Sequence, residues 1–269
     1  MAKPLNIAHR GGAGLMPENA LAAFADAIAR GCDGAELDVQ LSADGVPVVH
    51  HDYRLMADVA RAHGAWLDAP GPRIKDLTAE QLQTWDIGRA RPGSDYALRH
   101  PALTPVDGQG VPPLAAVLDL AADAPHPFVL MVELKCGASD DSADPVLLAE
   151  AAHDAVIAAG VLENVIFVGF DWRALLAVKA ADPAALCWFT TDKLMGDARA
   201  AIDTIAAAGA DGWFPNFRDA TDDNVAHARA RDLKVGAWTV NDPADMRRLS
   251  GLDAICTDRP DLLMDLRSL

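Results

Sequence analysis

Residues 233–257 read LKVGAWTVNDPADMRRLSGLDAICT. A β-type run, Leu233–Val240, gives way to Asn241-Asp242-Pro243, a capping side chain followed by proline at the first helical position. The helical stretch stops at Gly251, and Ala254–Thr257 is β-type again. Strand, helix and strand in this order require a crossover connection and parallel pairing.

The unit repeats backwards along the chain to about residue 125. Phe128–Leu134, Val165–Phe170, Ala185–Phe189 and Gly212–Phe214 are further β-type runs. Asp144-Pro145 opens a helix that Gly160 closes, Gly209 closes another, and Thr221 caps the next. Upstream, strand one falls at about 5–9 and strand two at about 35–40, so the count reaches eight. Eight parallel βα units predict an α/β fold of the TIM (β/α)8 barrel type. An open doubly wound sheet is the alternative, because the pattern does not show closure. A length of 269 residues suits a single barrel domain over 1–269.

The stretch 42–112 breaks the rhythm. Leu41–Val46 reads as a turn and Val46–His51 as a strand returning along strand two, a hairpin. Pro70-Gly71-Pro72, Arg91-Pro92-Gly93-Ser94 and the run from Pro101 to Pro113 follow. Only Thr78–Trp85 looks helical, with Thr78 and Gln81 spaced as a capping box. A helix from Leu114 then resumes the barrel, so 52–112 reads as an insertion on the active-site face.

A net charge of −16 argues against nucleic acid as partner and against docking on anionic membranes. It leaves room for a small anionic substrate, since a metal and a few local cations reverse the potential in one cleft. No run of 18 or more apolar residues predicts a membrane span. The first residues lack the apolar core of a signal peptide, and Cys32, Cys136, Cys187 and Cys256 show no paired spacing. A cytoplasmic protein with reduced thiols is expected, as monomer or homodimer.

Strand two carries the chemistry. Glu36 and Asp38 point to one face, where an ordinary barrel would place Val, Ile or Leu. Two adjacent buried carboxylates need a cation. Glu133 and Lys135 share a face of strand three, so three carboxylates converge into an oxygen-rich site for Mg2+ or Ca2+. The plainer reading is a set of ion pairs with Lys135 and Arg10. If Asp44-Gly45 lies in the turn, Glu36 sits roughly opposite His51, and His51-Asp52 returns over the carboxylates. His9 ends strand one beside strand two. Two imidazoles flanking the acids suit general acid and base, and Arg10 suits a phosphate oxygen.

The stretch 8–20, AHRGGAGLMPENA, also invites a dinucleotide reading, with Gly12 and Gly14 after a strand. Pro17 occupies the third glycine position, and the helix starts near Ala20, too late to face a pyrophosphate. The glycines read better as slack that lets His9 and Arg10 approach a small anionic substrate.

These blocks resemble the glycerophosphodiester phosphodiesterase family: His9-Arg10-Gly11 with Pro17-Glu18-Asn19, Glu36-Leu37-Asp38 with Asp44-Gly45 and His51-Asp52, Glu133-Leu134-Lys135, and Trp238 to Asn241 with Thr257-Asp258. The resemblance spans nearly the whole chain. It implies a TIM barrel with an insertion after strand two and a divalent cation on Glu36, Asp38 and Glu133. It implies His9 and His51 as the acid–base pair, Arg10 and Lys135 at the phosphate, and Trp238 along the substrate pocket. Glu18 and Asn19 would support the metal side. Ala20 departs from the family's threonine, a residue suited to capping rather than to reaction. The implied activity is hydrolysis of a small-molecule glycerophosphodiester to sn-glycerol 3-phosphate and an alcohol. Two alternatives are a related phospholipase-like barrel acting on lysophospholipids or phosphoinositides, and a non-catalytic barrel binding phosphate esters. The insertion has no long apolar run for an acyl chain, and both histidines and all three carboxylates are present.

Overall fold

The computed structural model describes residues 3–192 and 196–268. Eight strands form the barrel: β1 (Leu5–Ala8), β2 (Gly34–Leu41), β3 (Val129–Leu134), β4 (Val165–Gly169), β5 (Leu186–Thr191), β6 (Gly212–Pro215), β7 (Lys234–Ala237) and β8 (Ala254–Thr257). Each pairs in parallel with the next. The register from Leu5↔Ala254 to Ala8↔Thr257 joins β8 back to β1 and closes the ring. Closure rules out the open sheet.

A helix follows every strand: α1 (Leu21–Arg30), α2 (Leu114–Ala122), α3 (Pro145–Ala159), α4 (Trp172–Ala181), α5 (Ala198–Ala207), α6 (Asp222–Arg229), α7 (Pro243–Arg248) and α8 (Pro260–Ser268). Their ends carry the expected chemistry. The Asp144 carboxylate accepts from the backbone N–H groups of Val146 and Leu147, and Gly160 closes α3 in the left-handed region at φ 69°. Asp242 caps α7 and Thr221 caps α6. α7 stops at Arg248, before Gly251.

Strand alternation sorts the core into two layers. Leu37 and Val39 of β2, Leu130 and Val132 of β3, and Val235 and Ala237 of β7 face the helices. Ile7, Met131, Ile166, Trp188 and Phe214 fill the barrel interior. Trp188 lies over Gly212, where a Cβ would come within 2.6 Å of the indole. Above this layer the inward positions turn polar, and Glu36, Asp38, Gln40 and Thr190 are buried there.

The hairpin forms, with a short strand Pro47–Val49 antiparallel to β2. Its register differs by one residue from the expected one. Val39 pairs with Val49 and Leu41 with Pro47, so the His50 N–H reaches the Asp38 carbonyl and Glu36 has no partner across the hairpin. The turn is longer than a two-residue one: the Ser42 N–H bonds to the Val46 carbonyl around Ala43-Asp44-Gly45.

Beyond it, the capping box at Thr78 is present on a short helix, Ala79–Gln83. A second short helix, Asp95–Arg99, is capped by Ser94 and escaped the sequence reading because Pro92-Gly93 masked its start. Leu55, Ile74, Leu82, Ile87 and Val111 give this segment a small core, packed on Val48 and Ala20. Among the described residues, no helix is long and apolar enough to cross a membrane.

Candidate active site

The C-terminal ends of all eight strands open onto one cavity of about 260 Å³. Each strand, or the residue just after it, brings a side chain to the wall. β1 contributes His9, β2 Glu36, β3 Glu133 and β4 Phe170; Thr190, Phe214, Trp238 and Cys256 follow from β5 to β8. Arg10, Lys135, His51 and Thr239 also line it. Seven of the eight residues singled out in the sequence thus share one space. The eighth, Asp38, lies just behind it and is fully buried.

His9 occupies a single 3-10 turn, His9–Gly11, that ends β1. Its Nδ1 lies 2.6 Å from Asp258 Oδ1 at the end of β8, and its Nε2 lies 3.8 Å from Glu36 Oε2. Asn241 Nδ2 donates to the other Asp258 oxygen at 2.7 Å, while the Asn241 side-chain oxygen Oδ1 accepts the Asp258 backbone N–H. Burial alone would raise the Asp258 carboxyl; His9 and Asn241 outweigh it and hold it down at about 2. An ionised Asp258 selects the tautomer with the proton on Nδ1 and turns Nε2 to the cavity.

His51 is held differently. Gln40, buried on the inward face of β2, donates from its side-chain amide to the carbonyls of His50 at 2.7 Å and Asp52 at 2.9 Å. That clamp bends the chain off the hairpin and sends His51 over the carboxylates despite the shifted register. His51 Nδ1 lies 3.2 Å from Asp52 Oδ1.

The loop after His9 is not slack. Arg10 sits at φ 52° and Asn19 at φ 58°, both left-handed. Gly11, at φ 82°, packs where a Cβ would meet the Ala23 Cβ at 2.6 Å, and a Cβ on Gly14 would meet the Asp258 carbonyl at 2.7 Å. These glycines press the loop against α1 and the end of β8.

Glu36, Asp38 and Glu133 each offer a carboxylate oxygen within 4.8 Å of the others. The ion pairs expected on the plainer reading are also present. Lys135 Nζ lies 2.9 Å from Glu133 and 3.6 Å from Asp38, and Arg10 Nε 3.3 Å from Asp38. Asn19 donates to Asp38 at 2.8 Å. Burial works against the Asp38 charge, but Arg10, His51 and Lys135 outweigh it and hold the carboxyl well below its ordinary range. Glu36 is left over. It receives the Arg10 backbone N–H at 3.1 Å on one oxygen, and its other oxygen, Oε1, is buried with no hydrogen-bond partner among the described residues. Burial, then Asp38 and Glu133, push its carboxyl well above the usual range. An orphaned oxygen, facing two more carboxylates with Arg10 and Lys135 as the cationic side chains paired to them among the described residues, fits a hard divalent cation.

Sequence reasoning missed Gln40 and left Asp258 and Asn241 without roles. An acid one step past the last barrel strand was the available signal for Asp258. Gln40 had none beyond sharing the inward face with Glu36 and Asp38.

Comparison with known proteins places the whole chain among relatives of one family. The model of the glycerophosphoryl diester phosphodiesterase family matches residues 9–262. The chain belongs to this family. A glycerophosphodiester phosphodiesterase of Caldanaerobacter subterraneus subsp. tengcongensis is 29% identical over 271 residues, 98% of each chain. The structure of a Silicibacter pomeroyi protein provisionally named a glycerophosphoryl diester phosphodiesterase aligns with a TM-score of 0.90 at 31% identity, covering 99% of this chain and 95% of that one. A phosphodiesterase of Oleispira antarctica, solved with its product sn-glycerol-3-phosphate, shares the fold at a TM-score of 0.77 and 23% identity, with 99% and 98% covered. This member of the family is a phosphodiesterase, and its acidic trio is a group able to bind a metal.

Proposed function

We propose that the chain hydrolyses glycerophosphodiesters such as glycerophosphocholine and glycerophosphoethanolamine to sn-glycerol 3-phosphate and an alcohol, with Mg2+ or Ca2+ on Glu36, Asp38 and Glu133. One observation carries the reading: two imidazoles, each with Nδ1 on a carboxylate, line one cavity with an acidic trio whose Glu36 Oε1 lacks a partner. The cation would polarise the phosphate and lower the pKa of the glycerol 2-hydroxyl. One imidazole takes the hydroxyl proton at Nε2 as the oxygen attacks phosphorus. The other imidazole gives a proton to the departing alcohol oxygen. Water then opens the cyclic phosphate with the two roles reversed. Arg10 and Lys135 hold the phosphoryl oxygens against their growing charge. Trp238, fixed by its indole N–H on the Phe214 carbonyl at 3.1 Å and edge-on to Phe170, forms the apolar wall for the carbon skeleton.

Residues 52–112 are taken as an insertion within one barrel domain over 1–269, forming the wall beside His51. Four free, buried cysteines suit the reducing cytoplasm proposed as its setting.

The test is release of sn-glycerol 3-phosphate from glycerophosphocholine in Mg2+ and then Ca2+, with and without chelator. Turnover that chelator stops and metal restores is expected. Glu36→Ala should weaken metal binding at least about tenfold by calorimetric titration. Cleavage of a lysophospholipid in preference to glycerophosphocholine would overturn the substrate assignment.

A further inference from the structure

Tyr96 belongs to the insertion, yet its contacts lead to the phosphate side of the site. Its hydroxyl donates to Glu18 Oε2 at 2.6 Å. The other Glu18 oxygen accepts from Arg10 Nη1 at 3.0 Å. Arg10 lines the cavity, so two bonds run from the insertion to a side chain that faces the reacting group. We propose that Tyr96 is a positioning residue: its hydroxyl fixes the Glu18 carboxylate, and Glu18 fixes the Arg10 guanidinium at the phosphate. This rests on the placing of Arg10 at the phosphate.

The physical need is specific to Arg10. A long side chain with several rotatable bonds loses most of its rotamer freedom when it grips an anion. Held beforehand, the fork loses less on binding, and the difference appears as affinity. Asp38 gives Arg10 one anchor, on the metal side. Glu18 gives the second, and only a fixed Glu18 can aim the fork. A carboxylate on a loop that is left-handed at Asn19 needs its own support, and the Tyr96 hydroxyl supplies it on the oxygen that Arg10 does not use. Tyr96 is itself held in place. Ser94 caps its short helix, the His100 ring packs against its ring at 4.5 Å between centroids and a tilt of 39°, and the Thr104 N–H bonds to the Leu15 carbonyl at 2.8 Å. The last contact docks the same segment on the loop that carries Arg10 and Glu18.

The experiment compares Tyr96→Phe, Arg10→Lys, the double variant and Ser94→Ala. Each is followed by kcat and KM with glycerophosphocholine and by calorimetric titration with inorganic phosphate in Mg2+. Tyr96→Phe should lower kcat/KM and phosphate affinity by about tenfold, the loss expected for one charge-assisted hydrogen bond. In the Arg10→Lys background it should add nothing, because the fork it aims is gone. Ser94→Ala, which loosens the helix but keeps the hydroxyl, should stay within about twofold. Full additivity with Arg10→Lys, or a Ser94→Ala loss equal to that of Tyr96→Phe, overturns the proposal. A silent Tyr96→Phe beside a damaged Arg10→Lys overturns it while leaving Arg10 at the phosphate. A silent Arg10→Lys removes that placement, and the proposal with it.

Discussion

The two histidines of the site stand on opposite kinds of support. His9 is built into the barrel: β1 carries it, β8 supplies Asp258, and Asn241 after β7 braces that carboxylate. His51 stands where a hairpin runs into the insertion, with Asp52 from the same loop as its partner. The His9 and Asp258 side chains are each 16% exposed, against 30% for His51 and 42% for Asp52. The Nδ1 contacts are 2.6 Å and 3.2 Å. Parallel strands fix the first pair through a ladder of backbone hydrogen bonds, whereas the second depends on one buried amide, that of Gln40. The same kind of contact is thus held by neighbouring barrel strands on one side and by a single loop on the other.

The comparison breaks outright if either imidazole is dispensable. His9→Ala and His51→Ala should each lower kcat by about 10³-fold or more with the fold retained by circular dichroism. The orienting carboxylates should then separate the two sides. Asp258→Asn is expected to lower kcat about 10²-fold, since it disturbs both tautomer and ring angle, and Asp52→Asn less than about tenfold. Equal losses would erase the distinction between strand and loop support. Gln40→Met should leave the carbonyls of His50 and Asp52 without their buried donor. We expect kcat to fall about tenfold, with faster proteolysis near residue 52 and none near residue 9.

The smallest effect is on stability. The Asp258 carboxyl is held down from its ordinary 3.8 to about 2. A depressed carboxyl stabilises the fold above its unfolded value and loses that contribution as pH falls through the folded one. The stability gap between the native chain and Asp258→Asn, on the order of 2 kcal/mol, should therefore be full above about pH 4 and vanish near pH 2, as read from denaturant melts.

Much of this protein can be read from local rules. Proline and Asp at helix starts, Gly or Thr at their borders, and β-type runs between them are short-range chemistry, so the eight βα units stand out in the sequence. The pairs Glu36 and Asp38, and Glu133 and Lys135, declare themselves because charge on an inward strand face violates the apolar pattern. The hairpin register did not declare itself, because a turn one residue longer shifts every pairing while leaving the same residue types in place. The short helix Asp95–Arg99 was hidden for a related reason: five residues give too little periodicity to outweigh the proline and glycine before them.

The sequence by itself determined the repeating strand–helix order, the acids and histidines of the site, and the family these place the chain in. Only the tertiary structure decided that β8 closes on β1, that Asp258 reaches back across 249 positions to His9, that Gln40 clamps the loop of His51, and that Glu36 keeps an unpartnered oxygen. Each of these is a contact between residues far apart in the chain or a single angle in a turn. Local preference carries no information about them, because it acts over a few residues, whereas ring closure and packing choose among arrangements that look alike locally.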